Sequence, residues 1–347
     1  MAALQTNGTS WPGAVAVSGG GDSIALMHLL AGWAKRSRRA APIVVIVDHG
    51  LMPQSAREAR TVSRWARDAG LKASVLTWSG RKPGSNIEAG AREARYRLMG
   101  EWLRKKKLAA LYVAHNLDDQ AETFLLRLIR GSGLDGLSGM RPIAPYPAAG
   151  FGEVRLVRPL LEIERADLRS HLTERGADWL EDPMNSDDRF ARVRVRKAWP
   201  VLERLGFTRS RLVDAAAHLS RAREALDAVT LAVLSRTCKP VGSDLHVDRS
   251  ALAAAPKEVA LRALAQMLMA VGGQTYRPRF ERLERLLDRI AEDALGGGAT
   301  LHGCRITPAR RDRGAFGAET LMISPENARA GRRGRERRTG KCVMRGH

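Results

Sequence analysis

The stretch Ala14-Val15-Ala16-Val17-Ser18-Gly19-Gly20-Gly21-Asp22-Ser23 decides the fold. Its four uncharged apolar residues read as a buried strand, and the three glycines that follow read as a turn. Ile24 to Trp33 then reads as a helix. The alternation continues outward. Strands are expected at Ile43 to Val47, Ala73 to Trp78 and Leu108 to Ala114, with helices at Ala56 to Ala69, Asn86 to Lys107 and Gln120 to Ile129. Strands alternating with helices over about 130 residues imply βαβ units and a parallel sheet. Ligands of such sheets bind beyond the carboxyl ends of the strands, where this chain's polar motifs fall.

After Gly139 the pattern changes. Met140 to Gly152 is rich in Pro, Gly and Ala and reads as a loop, and Leu161 to Arg175 as a helix. From about Phe207 the chain reads as mainly helical, at Arg209 to Leu234, Pro256 to Val271 and Pro278 to Ala294. Short strands are expected at Asp244 to Val247, Ala299 to Ile306 and Glu319 to Ile323. The expected architecture is therefore α/β, a doubly wound parallel sheet over residues 1–206. A smaller, mainly helical α+β domain follows over 207–325, then a basic disordered tail over 326–347.

Lys and Arg total 58 against 37 Asp and Glu, for a net charge of +21. Such an excess suits a polyanionic partner, because each neutralised phosphate releases counterions. A generally basic, Arg- and Ala-rich proteome is the competing reading. The tail contributes eight Lys/Arg and one Glu over 327–347, but the remainder still carries +14. The three cysteines, Cys238, Cys304 and Cys342, are odd in number and far apart, which excludes a disulfide framework or a Cys-x-x-Cys site. No signal peptide or membrane-length apolar run is read, so a cytoplasmic protein is expected.

Four constellations carry chemistry. In Ser18-Gly19-Gly20-Gly21-Asp22-Ser23, glycines let successive backbone N–H groups face one anion, and the helix N-terminus adds positive charge. Ser18 and Ser23 can donate hydroxyls to phosphate. Asp22 beside phosphate implies Mg²⁺. The loop is neither a Walker A nor a dinucleotide-binding pattern. Asp48-His49-Gly50-Leu51 ends the second strand, where a carboxylate can meet a nucleoside; a simple turn is the alternative. Glu88, Arg92 and Arg95 share one helix face, and the arginines suit charge developing on transferred phosphate. For Glu88, a capping box with Ser85 explains the spacing equally well. Finally, His115-Asn116-Leu117-Asp118-Asp119-Gln120-Ala121-Glu122 opens a helix after a strand. His115, Asp118 and Asp119 suit Mg²⁺ binding or proton transfer, although acidic residues also favour a helix N-terminus on their own account. Arg130, Arg192 and Arg196 are candidates for RNA contact.

The loop resembles that of the N-type ATP pyrophosphatase (PP-loop) superfamily, whose fold is adenine nucleotide alpha hydrolase-like. Asp48 to Leu51, Asn86 to Tyr96, His115 to Thr123, Arg130 to Gly133, Arg158 to Leu161 and Glu181 to Asn185 narrow the likeness. Together they resemble the tRNA(Ile)-lysidine synthase family over about residues 13–200. The resemblance implies an ATP-dependent carbon–nitrogen ligase. ATP adenylates O2 of the wobble cytidine of a tRNA(Ile) with a CAU anticodon, and free lysine then attacks C2 through its ε-amine. It also implies a homodimer and a tRNA-binding C-terminal domain. The implied roles are pyrophosphate binding by Ser18, Gly19, Gly20, Gly21 and Ser23, nucleotide contact by Asp48 and His49, and Mg²⁺ binding by Asp22, Asp118 and Asp119. Catalysis falls to Asp22, Arg92, Arg95, His115 and Asp119. The sequence departs from the family's pattern at Met52, where Arg is usual, and at Val193, where Asn is usual.

Three rivals share these features. A tRNA thiolation enzyme would need cysteines, and none precedes Cys238. A small-molecule amide synthetase does not account for the charge. A noncatalytic RNA binder would not need the loop or the paired aspartates.

Overall fold

The computed structural model describes residues 11–79, 87–181, 187–274, 276–309 and 314–326. The expected helix start at Asn86, Ser85, the side chain of Glu88, residues 182–185 and the tail from 327 lie outside the described residues.

The chain divides into two compact units, residues 1–220 and 221–347. The first contains β1 (Ala14–Ala16), α1 (Gly21–Arg36), β2 (Ile43–Asp48), α2 (Ser55–Asp68), β3 (Ala73–Thr77), α3 (Ile87–Lys106), β4 (Ala110–Tyr112), α4 (Leu117–Ile129), α5 (Leu134–Leu137), β5 (Ile143–Pro145), β6 (Arg155–Val157), α6 (Arg165–Glu174), α7 (Ala191–Arg204) and the start of α8 (Arg209–Thr237). The strands form one sheet in the order β3-β2-β1-β4-β6-β5. All neighbours are parallel except the edge pair β5–β6.

Alternation of side chains along each strand builds two cores. Val15, Val44, Ile46 and Tyr112 point to one face and pack with Ile24, Met27 and Leu30 of α1, Val62 of α2 and Leu168 and Leu172 of α6. Ala14, Val45, Leu111 and Leu156 point to the other, against Tyr96, Met99 and Leu103 of α3 and Phe151. A doubly wound α/β sheet results. The chain leaves β1 towards β2 and β3 on one side and returns to β4 on the other, which opens a crevice at the carboxyl ends of β1 and β4.

Two sequence expectations needed correction here. The expected loop at Met140 to Gly152 holds β5, because Ile143–Pro145 pairs antiparallel with β6. The helix expected from Leu161 begins at Arg165. Residues before it form a turn, with the Ile163 N–H donating to the Leu160 carbonyl at 3.0 Å; Leu160 bridges Asn116, and the Ile163 carbonyl accepts the Leu117 N–H at 3.0 Å.

The first turns of α8 stay with the first unit. Leu212 and Ala216 pack there with Ala121 and Phe124 of α4 and Val195 and Trp199 of α7. The expected boundary at 206–207 falls just before α8, whereas the two units divide at 220–221, within it.

The second unit holds β7 (Cys238–Val241), β8 (Asp244–Asp248), α9 (Arg249–Ala253), α10 (Lys257–Gly272), α11 (Phe280–Ala291), β9 (Ala299–Leu301), β10 (Cys304–Pro308) and β11 (Thr320–Pro325). Its sheet is antiparallel, in the order β7-β8-β11-β10-β9. Leu283, Leu286, Leu287 and Ile290 of α11 follow helical spacing and enter the core beside Ile306 and Ile323. The single strand expected over Ala299 to Ile306 is a hairpin. His302 and Gly303 both take positive φ, 59° and 74°, as a two-residue turn of this twist requires. Among the described residues no helix is long and apolar enough to cross a membrane.

Candidate active site

The glycine loop sits where β1 hands over to α1. Gly19 has φ +99°, and a Cβ there would lie 2.6 Å from Leu180 and 2.9 Å from Val62. Only glycine fits without displacing those side chains. Gly20 is different: a Cβ there would meet only the Ser18 hydroxyl, at 3.8 Å. Packing does not demand glycine at that position, so the bare backbone leaves room for an incoming group. The Ser23 N–H already donates to the Gly20 carbonyl at 3.0 Å, but the N–H groups of Gly21 and Asp22 precede the hydrogen bonds of α1, which suits phosphate. Ser23 closes the loop, donating through Oγ to the Gly20 carbonyl at 2.8 Å and accepting from Ser18 N at 3.2 Å.

The segment after β4 supplies the opposite wall, with each side chain assigned a separate task. Asn116 is wholly buried and caps α4; its Oδ1 accepts the Asp119 N–H at 2.9 Å, and Asp119 Oδ2 accepts the Asn116 N–H at 3.2 Å. The other end of the same amide donates to Asp22 Oδ2 at 2.9 Å. Asp118 accepts the Arg165 N–H at 2.9 Å and pairs with Arg209 at 3.0 Å, fixing the starts of α6 and α8. Gln120 clasps Met140 from both sides, donating to its carbonyl at 3.1 Å and accepting its N–H at 2.6 Å.

An anionic group forms around one guanidinium. Arg165 reaches Asp22 at 3.1 Å, Asp119 at 3.2 Å and Glu122 at 3.3 Å. Glu122, 3 % exposed, also receives a two-pronged contact from Arg196 at 2.6 and 3.1 Å. Burial raises the Asp22 carboxyl above its ordinary value, against the pull of Arg165. Burial also works against the charge on Arg165, but Asp22, Asp119 and Glu122 outweigh it and raise its pKa.

A cationic group lies on the other side of Asn116. Arg158 donates from Nε to His115 Nδ1 at 3.2 Å and from Nη1 to the Arg141 carbonyl at 2.8 Å. Burial, then the charges of Arg158, Arg192, Arg92 and Arg95, push the His115 imidazole down to about 3. It is neutral at pH 7, and with Nδ1 accepting, its proton sits on Nε2. Arg92 and Arg95 lie over the Tyr96 ring at 5.0 and 5.4 Å.

Comparison with known proteins shows the chain's family. Residues 3–202 match the PP-loop domain, an ATP-binding family. Over 301 residues the chain is 42% identical to a tRNA(Ile)-lysidine synthase of Methylobacterium nodulans, covering 83% of this chain and 86% of that one. Against a tRNA(Ile)-lysidine synthase of Wolbachia pipientis the identity is 38% over 296 residues, 84% of this chain and 67% of the relative.

The chain belongs to the tRNA(Ile)-lysidine synthase family.

Among solved structures, a U34-tRNA thiolase from Methanococcus maripaludis with its [4Fe-4S] cluster aligns with a TM-score of 0.50 at 17% identity, over 60% of this chain and 72% of that chain. That likeness is one of fold. Within this lysidine synthase family member, the structure brings together Ser18 to Ser23, Asp22, Asp119, Glu122 and Arg196 through direct contacts, and gathers His115, Arg92, Arg95 and Arg192 electrostatically. Arg192 also approaches the Thr123 hydroxyl at 3.5 Å. Asp48 closes a turn, accepting the Gly50 N–H at 2.9 Å, and His49 meets Trp78 edge-on at 6.4 Å. Arg130 is exposed at the end of α4, apart from these contacts.

Sequence reasoning missed Arg165, Arg209 and the double role of Asn116. Asn116 could have been found, since Asn three residues before Asp119 is a capping-box spacing. Arg165 and Arg209 leave no local signal of their site contacts, because Arg165 meets Asp119, and Arg209 meets Asp118, across more than forty residues of chain; Arg209 also pairs locally with Glu203 at 2.7 Å.

Proposed function

We propose that this protein is an ATP-dependent carbon–nitrogen ligase that makes lysidine on tRNA(Ile) with a CAU anticodon. The wobble cytidine O2 attacks the α-phosphorus of ATP, and the bond to pyrophosphate breaks. The ε-amine of free lysine then attacks C2; the bond between C2 and O2 breaks, and AMP leaves with that oxygen. The reading rests on one observation: Asp22, beside the open Gly20 backbone, contacts Asn116 and shares Arg165 with Asp119 and Glu122 in a chain similar to lysidine synthases over more than four fifths of its length.

The residues divide the work. Backbone N–H groups at Gly20 and Gly21, with Ser18, receive the departing pyrophosphate. Asp48 and His49 meet the nucleoside. His115, neutral and held by Arg158, offers Nε2–H to a phosphate oxygen as a positioned donor. Arg92, Arg95 and Arg192 supply positive charge where negative charge grows. Asp22 and Asp119 suit Mg²⁺, because both already aim an oxygen at one cation, the guanidinium of Arg165. Among the described residues no group of three or more His, Cys, Asp or Glu is placed to enclose a metal. Mg²⁺ commonly takes one or two carboxylates and completes its shell with phosphates and water, so two suffice. When bound there, Mg²⁺ would neutralise phosphate charge. Asp118, tied to Arg165 N and Arg209, acts as a pin for the two helices rather than as a metal ligand.

Thiolation is the weaker reading: the first 237 residues contain no cysteine. The proposal extends to a cytoplasmic homodimer whose second unit and basic residues, Arg130, Arg192 and Arg196 among them, hold the tRNA. The test incubates the protein with ATP, labelled lysine and CAU-anticodon tRNA(Ile). Label should enter the tRNA with equimolar AMP and pyrophosphate, and should vanish when the wobble cytidine becomes uridine. AMP formation without lysine transfer would sink the ligase reading.

A further inference from the structure

The three ion pairs of Arg165 carry a consequence for metal binding. Its guanidinium touches the carboxylates of Asp22, Asp119 and Glu122 together, and its own side chain is 21% exposed. A cation that bridges Asp22 and Asp119 must take the place this guanidinium holds. We infer that Arg165 is a built-in counter-cation for the carboxylate group, displaced when a divalent cation enters with the nucleotide. The inference rests on the assignment of Asp22 and Asp119 as metal ligands.

The surrounding contacts allow such an exchange. Each of the three carboxylates keeps another partner after Arg165 leaves. Asp22 retains the Asn116 amide at 2.9 Å, Asp119 retains the Asn116 N–H at 3.2 Å, and Glu122 retains both prongs of Arg196. Asp119 Oδ1, the oxygen Arg165 now occupies, becomes free, while Oδ2 stays fixed by the Asn116 N–H. The backbone of Arg165 remains anchored, because its N–H donates to Asp118 Oδ2 at 2.9 Å. A change of side-chain rotamer is enough, with no shift of α6. Charge favours the occupied state at every stage. Three carboxylates with Arg196 paired to Glu122 and only the more distant charge of Arg169 acting on Asp22 would be left with excess negative charge in a largely buried place, which is costly. Arg165 removes that cost while the site awaits its cation, and the same contacts make it a competitor for the place.

The experiment titrates Mn²⁺, as a spectroscopic substitute for Mg²⁺, into the full-length protein saturated with α,β-methylene ATP, reading free Mn²⁺ by electron paramagnetic resonance. Wild type, Arg165→Gln and Arg165→Lys are compared, with melting temperatures recorded with and without Mn²⁺. Arg165→Gln should bind Mn²⁺ about tenfold more tightly, a modest figure for losing one competing, partly exposed cation. Its melting temperature should fall without metal and recover more on adding Mn²⁺ than that of wild type. Arg165→Lys, which keeps the charge without the fork, should lie between the two. Binding to wild type with equal or weaker binding to Arg165→Gln would overturn the displacement while leaving the metal ligands in place. Loss of Mn²⁺ binding in all three proteins would overturn the metal assignment and this inference with it.

Discussion

The acidic side of the site, gathered on Arg165, and the basic side, gathered on His115, solve opposite problems. On the acidic side, three carboxylates share one guanidinium and each has a second donor. On the basic side, four arginines surround a neutral imidazole; their described contacts are an aromatic ring, an imidazole nitrogen, a carbonyl and a hydroxyl. The acidic side is neutralised from within. Among the described residues the basic side places charge beside groups that do not cancel it, an arrangement that suits an anion from outside. On the proposed assignment a nucleotide would meet the two sides differently: its phosphates would complete the basic side, whereas its accompanying cation would compete with Arg165 for the acidic side.

The comparison can be broken most directly at Asp22. Asp22→Asn should lower lysidine formation by at least about 100-fold, a loss typical of removing one electrostatic group from a reacting centre. Its tRNA affinity, measured by filter binding, should hold. Comparable activity in the variant would mean the acidic side is structural.

The loop shared by both sides comes next. Gly19→Ala places a Cβ 2.6 Å from Leu180 at a φ of +99°. Urea unfolding should show a loss of about 2 kcal/mol. An unchanged midpoint would show that Leu180 and Val62 yield freely.

On the basic side, Arg158→Gln removes the donor that fixes the His115 tautomer. Turnover should drop about tenfold, the lower end for a group acting through another. The imidazole pKa, followed by NMR, should climb from about 3 towards its ordinary value. The sign of the linked effect on stability is fixed. Between pH 6.5 and about 3 the unfolded imidazole binds a proton that the folded one refuses, so stability falls as pH drops through that window. His115→Gln should flatten that part of the acid-unfolding curve; an unaltered curve would show that His115 does not drive it.

The smallest effect belongs to Arg130, exposed and outside both groups. Arg130→Ala should reduce the slope of log affinity for tRNA against log salt by about 1, with catalysis of bound tRNA unchanged. An unchanged slope would remove Arg130 from the RNA surface.

The sheet was legible because its signals are local. Short runs of apolar residues placed β1 to β4 within a few residues, and the glycine run placed the loop. The edge strand β5 was not legible: Ile143–Pro145 carries a proline and owes its pairing to β6. The hairpin at His302 was missed because a histidine took a left-handed position more often given to Asn or Gly. In the site, the residue types of the His115–Glu122 motif announced chemistry, but their division of labour did not. Asp118 and Asp119 are adjacent and chemically identical, yet one pins two helices and the other faces the guanidinium. That outcome depends on Arg165 and Arg209, which arrive from distant parts of the chain.

The amide of Asn116 has a bearing on how long a molecule of this enzyme can work. Its oxygen is taken by one N–H and its nitrogen donates to Asp22 at 2.9 Å, so neither orientation nor identity can be exchanged. Deamidation, the slow hydrolytic ageing of asparagine, would turn that donor into an acid pressed against another acid. Its slow step is attack on the side-chain amide by the next backbone nitrogen, that of Leu117, whose N–H is held by the Ile163 carbonyl at 3.0 Å; the hydrolysis that follows needs water, and Asn116 is 0% exposed. The dryness that makes the residue a good junction also protects it from ageing.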